Sequence, residues 1–177
     1  MNQLKQLINY YSLISISLIV IGFILGYKSS LKFERDYIEI CIENHGEFSF
    51  NFHILKMIIL KNFTVAIFLS LGGYFTAGLL SLLVLIWNGF NLGTMFTLVP
   101  YTNLSFYEFL LLFIIHGIFE ITALILFSNI GFKGLLFFEN IFKNNNIQID
   151  LKARTFINPS LLLFFSAMVE TFLISNF

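Results

Sequence analysis

The chain has 177 residues, 58% of them hydrophobic and only 11% charged, and its mean hydropathy is +0.86. Soluble domains carry roughly 25% charged residues, so the composition excludes a soluble globular protein and predicts one embedded in lipid. Ten basic and ten acidic side chains cancel, which leaves no basic patch for nucleic acid, and the single Cys41 excludes an internal disulfide framework or a multi-cysteine metal cluster.

The first apolar segment, 7–27, has the length of one bilayer crossing. It runs into Gly-Tyr-Lys with no small-residue cleavage pattern, so it reads as a retained span and not a removed signal peptide. The polar stretch that follows, 28–51, contains FERDYIEICIENHG. Lys32 with Asp36 and Arg35 with Glu39 stand there at helical spacing, which predicts an exposed helix or ordered loop. In residues 52–61, Lys56 and Lys61 punctuate an apolar surface, the pattern of a short interfacial helix leading into the next span.

From Asn62 to Tyr107 there is no formally charged residue. A helix of that length would be about 69 Å long, more than twice the hydrocarbon thickness, so the segment must fold back on itself. The break is expected at WNGFNLG, 87–93, where Asn88-Gly89 is a turn dipeptide and Trp87 suits the membrane–water boundary. This divides a span at 62–86 from a short segment at 88–106, which either re-enters or crosses past a kink at Pro100. Gly73, Ala77 and Gly78 on the first leg would let a neighbouring helix approach closely.

A further span is expected at 109–130, then an interfacial helix and polar loop over 131–158. The last span, 159–177, opens on Asn158-Pro159, a helix-start signal. The predicted fold is therefore an all-α polytopic transmembrane bundle of four to five spans forming one membrane domain. With five spans the basic residues divide five against five between the two sides; with four they divide nine against one. The positive-inside rule favours the second arrangement, with both termini outside.

The stretch LLLFIIHGIFEITALILF, 110–127, carries His116 and Glu120 four residues apart, on one face of a helix. A charged residue at the bilayer centre costs about 2.5–3.5 kcal/mol on insertion scales. Glu170 is a second intramembrane acid and Asn88 a further polar group. Two accounts stand side by side. The four residues form a hydrogen-bonded knot between helices, or they line a pathway for an ion, a proton or a peptide group. A metal or hydrolytic site is a third and more distant reading, since no second His shares the helix of His116. No phosphate loop or nucleophile elbow is present, so no catalytic, cofactor or metal site is assigned. His116 and Glu120 are expected to face the bundle interior, towards Glu170 or Asn88. Gly72, Gly73, Gly78, Gly89, Gly93 and Gly117 are expected to break helices or let them pack closely.

In order, these motifs resemble the stage II sporulation protein M family. The matching elements are Lys61-Asn62, the span with Gly72 and Gly78, and the NG-x3-G of Asn88, Gly89 and Gly93. The HG-x2-E of His116, Gly117 and Glu120 follows, then Gly131, then the A-x2-E of Ala167 and Glu170. The resemblance implies a multispan, non-enzymatic partner protein in the bacterial cytoplasmic membrane. Some relatives are similar to components found with ATP-driven transporters, including bacteriocin export or self-immunity systems. It therefore implies a separate ATPase or other membrane subunits as partners, with a homo-oligomer also open. The alternative is a structural scaffold in sporulation or cell-envelope remodelling.

Overall fold

In a computed structural model, residues 2–31, 52–98, 106–143 and 153–174 are described. The expectations for FERDYIEICIENHG, Pro100 and the 144–152 loop lie outside these residues. The described chain is helical: α1 (Asn2–Ser30), α2 (Phe52–Ile67), a π-helical turn (Phe68–Gly72), the short α3 (Gly73–Phe75), α4 (Leu79–Leu98), α5 (Phe106–Lys143) and α6 (Ala153–Ile174). Five helical segments are long and apolar enough to cross a membrane, α2, the π-turn and α3 together making one of them. A chain in lipid has to satisfy its backbone internally, and helices do so residue by residue.

Three boundaries differ from the sequence reading. The residues expected to form an interfacial helix at 52–61 are the first turns of a span that ends at Phe75. The chain reverses at Thr76–Gly78, and not at Asn88-Gly89. There Ala77 and Gly78 take positive φ, 51° and 85°, and the Gly78 N–H bonds to the Gly73 carbonyl at 2.7 Å, the closing bond of a Schellman-type turn. Thr76 Oγ1 accepts the Leu80 N–H at 3.0 Å, capping the next helix. From there α4 runs unbroken through Asn88, Gly89 and Gly93, so in place of a break followed by a short segment there is one helix long and apolar enough to cross a membrane. Pro159 lies inside α6, which starts at Ala153, instead of opening it.

Contacts fix the directions of the helices. Helix α4 folds back against the π-helical turn at the end of the second span, joined where the Ser81 hydroxyl donates to the Leu69 carbonyl at 2.7 Å. Gly22 and Gly26 of α1 lie on the backbone of Ile86 and Phe90, and Gly89 and Gly93 of α4 lie on that of Ile19 and Phe23. Residue numbers rise together, so α1 and α4 are parallel. Ser15 Oγ meets Ser128 Oγ at 2.7 Å, Asn129 Nδ2 donates to Ser12 Oγ at 2.9 Å, and the Tyr11 and Phe132 rings lie tilted with centroids 5.5 Å apart, so α5 runs against α1. Gly131 and Gly134 sit against Leu69 and Tyr74, which makes α5 parallel to α2. Helix α6 packs against α5 and α2 rather than the Phe68–Phe75 segment, and its first turns lie beside Leu126–Lys133. It therefore runs back along α5.

The five crossings alternate in direction, and the two ends of the chain fall on opposite sides. This replaces the four-span arrangement with both termini on one side. At one boundary the spans α1, α2–α3, α4 and α6 begin or end at Asn9, Phe75, Leu79 and Arg154. All four positions stand level with Lys133 of α5. Carried along the helices, the same registers set the opposite boundary near residue 114, so α5 crosses over about 20 residues, or about 30 Å. By composition alone its apolar window extends over Gly117–Lys143. The last turns then project beyond the boundary, where Lys143 and Glu139 form an exposed ion pair at 2.8 Å. Helix α5 is the most enclosed of the five. Leu69, Leu85, Ala123, Leu124, Phe127, Ile130 and Leu163 close the core around it, while large apolar side chains such as Leu13, Val20, Trp87, Ile118 and Phe165 face outward.

Candidate functional site

The inner stripes of α2, α5 and α6 carry a polar seam. On α6 the buried positions are Pro159, Leu163, Ser166, Ala167 and Thr171, and Glu170 falls in the middle of that stripe, half-buried. On α5 the buried residues Ala123, Leu124, Phe127 and Gly131 define a stripe that Glu120 continues, also half-buried. The spacing is the three-and-four repeat of one helix face. With Arg154 level with Lys133, the antiparallel register sets Glu170 about level with Gly117, roughly one turn from Glu120. The two acids therefore converge from neighbouring helices. Both of them, with His53, Ser166 and Thr171, have interaction partners.

Their depth differs from what a mid-bilayer acid would imply. Glu120 is about six residues, roughly 9 Å, inside the boundary near residue 114, and Glu170 is closer to it. Helix α2 starts at that same boundary with His53 and Lys56. The acids thus lie towards one end of the bundle, and the cost of charge falls towards the interface. His116 is one helical turn before Glu120 on α5.

Asn88 does not join this group. It is on α4, which is not a packing neighbour of α6, and its Nδ2 donates to the Val84 carbonyl of its own helix at 2.8 Å. The sequence reading instead missed Asn62 as a site residue. It lies on α2 in the buried row Ile58, Asn62, Ala66, is only 7% exposed, and its Nδ2 has no hydrogen-bond partner. By register it stands about level with Glu120. The available signal was its own stripe, one amide at the centre of an apolar i, i+4 row.

The glycines divide into two groups. A Cβ on Gly73 or Gly131 would strike Ser81 Oγ, and one on Gly131 would also strike the Leu69 carbonyl, so α3, α4 and α5 cross on these small residues. Gly72 faces Leu80, and Gly78 faces the Phe132 ring. Gly89 and Gly93 are packing surfaces against α1 and not breaks. Gly117 is neither: α5 continues through it, and an added Cβ there would meet nothing within 4 Å. Ser81, Gly22, Gly26 and Gly134 are close-contact positions that the motif reading did not single out. Among the described residues, no group of three or more His, Cys, Asp and Glu could hold a metal ion.

A helical bundle with five segments long and apolar enough to cross a membrane, packed on glycine seams, defines a polytopic membrane protein. The stage II sporulation protein M family model matches residues 12–174, nearly the whole chain. The chain belongs to that family. It is 33% identical over 121 residues to an uncharacterised protein of Methanocaldococcus jannaschii, a match covering 68% of this chain and 66% of that protein, just under two thirds of its length. No solved structure matches.

Proposed function

We propose that this chain is the membrane-embedded, non-enzymatic subunit of a transporter-type assembly in the bacterial cytoplasmic membrane. A separate ATPase supplies the energy, and the substrate is a peptide or other amphipathic molecule, as in bacteriocin export or self-immunity. The observation that carries this reading is the convergence of Glu120 and Glu170 on the inner stripes of α5 and α6, with Asn62, whose Nδ2 has no hydrogen-bond partner, at about the same depth. Acids that served only as helix glue would be expected to neutralise within a closed knot. Here they stand near one boundary of the bundle, each with an interaction partner, where the cost of holding a charge is lower than at mid-bilayer.

A scaffold role in envelope remodelling is the second reading, favoured by the tight glycine seam between α1 and α4. Such a seam holds two helices rigidly together and serves a static support well. Purification in mild detergent, followed by identification of the co-purifying chains, separates the two. Recovery of an ATPase supports transport. Recovery of only peptidoglycan-active or other envelope proteins would overturn it.

A further inference from the structure

Away from the acidic pair, at the opposite boundary, α5 and the first turns of α6 enclose a cavity of about 200 Å³. Its walls include Asn129, Ile130, Lys133, Arg154, Thr155 and Asn158. We propose that this cavity binds a phosphate group, and that the headgroup of an anionic membrane phospholipid is its source.

Charge makes the first argument. Lys133 and Arg154 bring two cations to one small space, and among the described residues no acidic side chain is part of its wall, though Lys133 also has an interaction partner of its own. Arg presents a planar fork matched to phosphate oxygens, and Lys a mobile point charge beside it. The second argument comes from the backbone. Arg154 and Thr155 belong to the opening turn of the 22-residue α6, whose leading N–H groups have no partners within the helix and carry its positive end. Such a turn stabilises an anion.

A third, independent observation is Asn129. It is 7% exposed and part of the cavity wall, and one side of its amide is engaged by Ser12 while Oδ1 has no hydrogen-bond partner. Oxygen and nitrogen of an amide are interchangeable in assignment. Either way round, Asn129 leaves one buried polar atom of its amide without a partner.

Position selects the source. The cavity stands where the spans α1, α2–α3, α4 and α6 begin or end, which is the depth of lipid phosphates. Its volume is below the roughly 300–1,000 Å³ of drug-sized ligand sites, so it admits a headgroup and leaves the acyl chains outside. Leu161 and Phe165, on the exposed face of α6, offer those chains an apolar track.

The test is native mass spectrometry of the purified full-length protein in detergent, with phosphatidylglycerol compared against diacylglycerol of the same chains. Phosphatidylglycerol should be retained at least tenfold better. The double variant Lys133→Gln, Arg154→Gln should reduce it to the diacylglycerol level, while Lys133→Arg should retain it. Should the double variant fail to fold, Arg154→Gln, at an exposed position, carries the comparison alone. If inorganic phosphate raises the unfolding temperature and the Gln variant abolishes this, without any lipid preference, phosphate recognition stands and its source is a soluble anion. Equal retention of the two lipids, with no response to inorganic phosphate, overturns the proposal. So does a preference for phosphatidylglycerol that the Gln variants leave intact.

Discussion

Gly131 and Glu120, eleven residues apart on α5, represent the two kinds of position that matter in this chain. At Gly131 the helix comes so close to Ser81 and the Leu69 carbonyl that even a methyl group has no room. Gly131→Ala should lower stability in detergent by about 1–3 kcal/mol, the usual range for overpacking, and show as a lower unfolding temperature with the spectrum still helical. Glu120 and Glu170 are different, because their exchange for Gln preserves shape and removes charge. Glu120→Gln and Glu170→Gln should leave folding and partner recovery unchanged. They should lower ATP-dependent export or protection at least tenfold, as measured in cells challenged with the peptide substrate. Survival of both assembly and activity would show that the charge serves no pathway. The acids were visible in the sequence because a carboxylate in an apolar run is conspicuous. Asn62 entered the sequence reading only through the Lys61-Asn62 motif and not as a site residue, since one uncharged amide barely alters the hydropathy of its segment. Ser81 and Gly131 become partners only when α4 and α5 cross, and no local pattern encodes that meeting.

At the scale of the helix, the most instructive element is α4. Asn-Gly is a strong turn signal in water, where freed backbone groups are solvated at once. In lipid no such solvation exists, so the backbone stays helical and glycine instead becomes a surface for close approach. Gly89 and Gly93 thus lie on α1, as Gly22 and Gly26 of α1 lie on α4. The reversal sits at Thr76–Gly78, where a capping threonine coincides with a glycine free to take positive φ. Pro159 follows the same logic: a start signal in water is tolerated inside α6, because neighbouring groups compensate for the lost bond. Continuity of α4 is directly testable. Amide hydrogen exchange in detergent should be slow and uniform across residues 88–93 and faster at 76–78. Fast exchange at 88–93 would restore the break the sequence suggested.

For the whole molecule, span count and sidedness are the properties at stake. Composition was sufficient to establish a helical membrane protein, because no other fold accommodates so few charges in so many residues. It was insufficient for sidedness, since five crossings divide the basic residues equally and the positive-inside rule then has nothing to act on. The alternating directions set the end of α1 and the end of α5 on opposite sides. In intact cells or right-side-out vesicles, a membrane-impermeant maleimide should label only one of two thiols. These are the native Cys41, and a cysteine replacing Asn145 in a Cys41→Ser background. Labelling of both from the same side would require an even number of crossings between them.

The parallel seating of α1 on α4 bears on how the chain is made. The first helix leaves the ribosome about 70 residues before its glycine-faced neighbour is complete, roughly 3–14 s earlier at typical synthesis rates of about 5–20 residues per second. During that interval Ser12 and Ser15, which end up against α5, have only the interface or their own backbone to bond. Insertion of the first span and its docking are therefore separate events in time. Truncated chains ending before α4 should present an α1 that is membrane-inserted but unpacked, open to quality-control proteases and to premature pairing with other nascent helices.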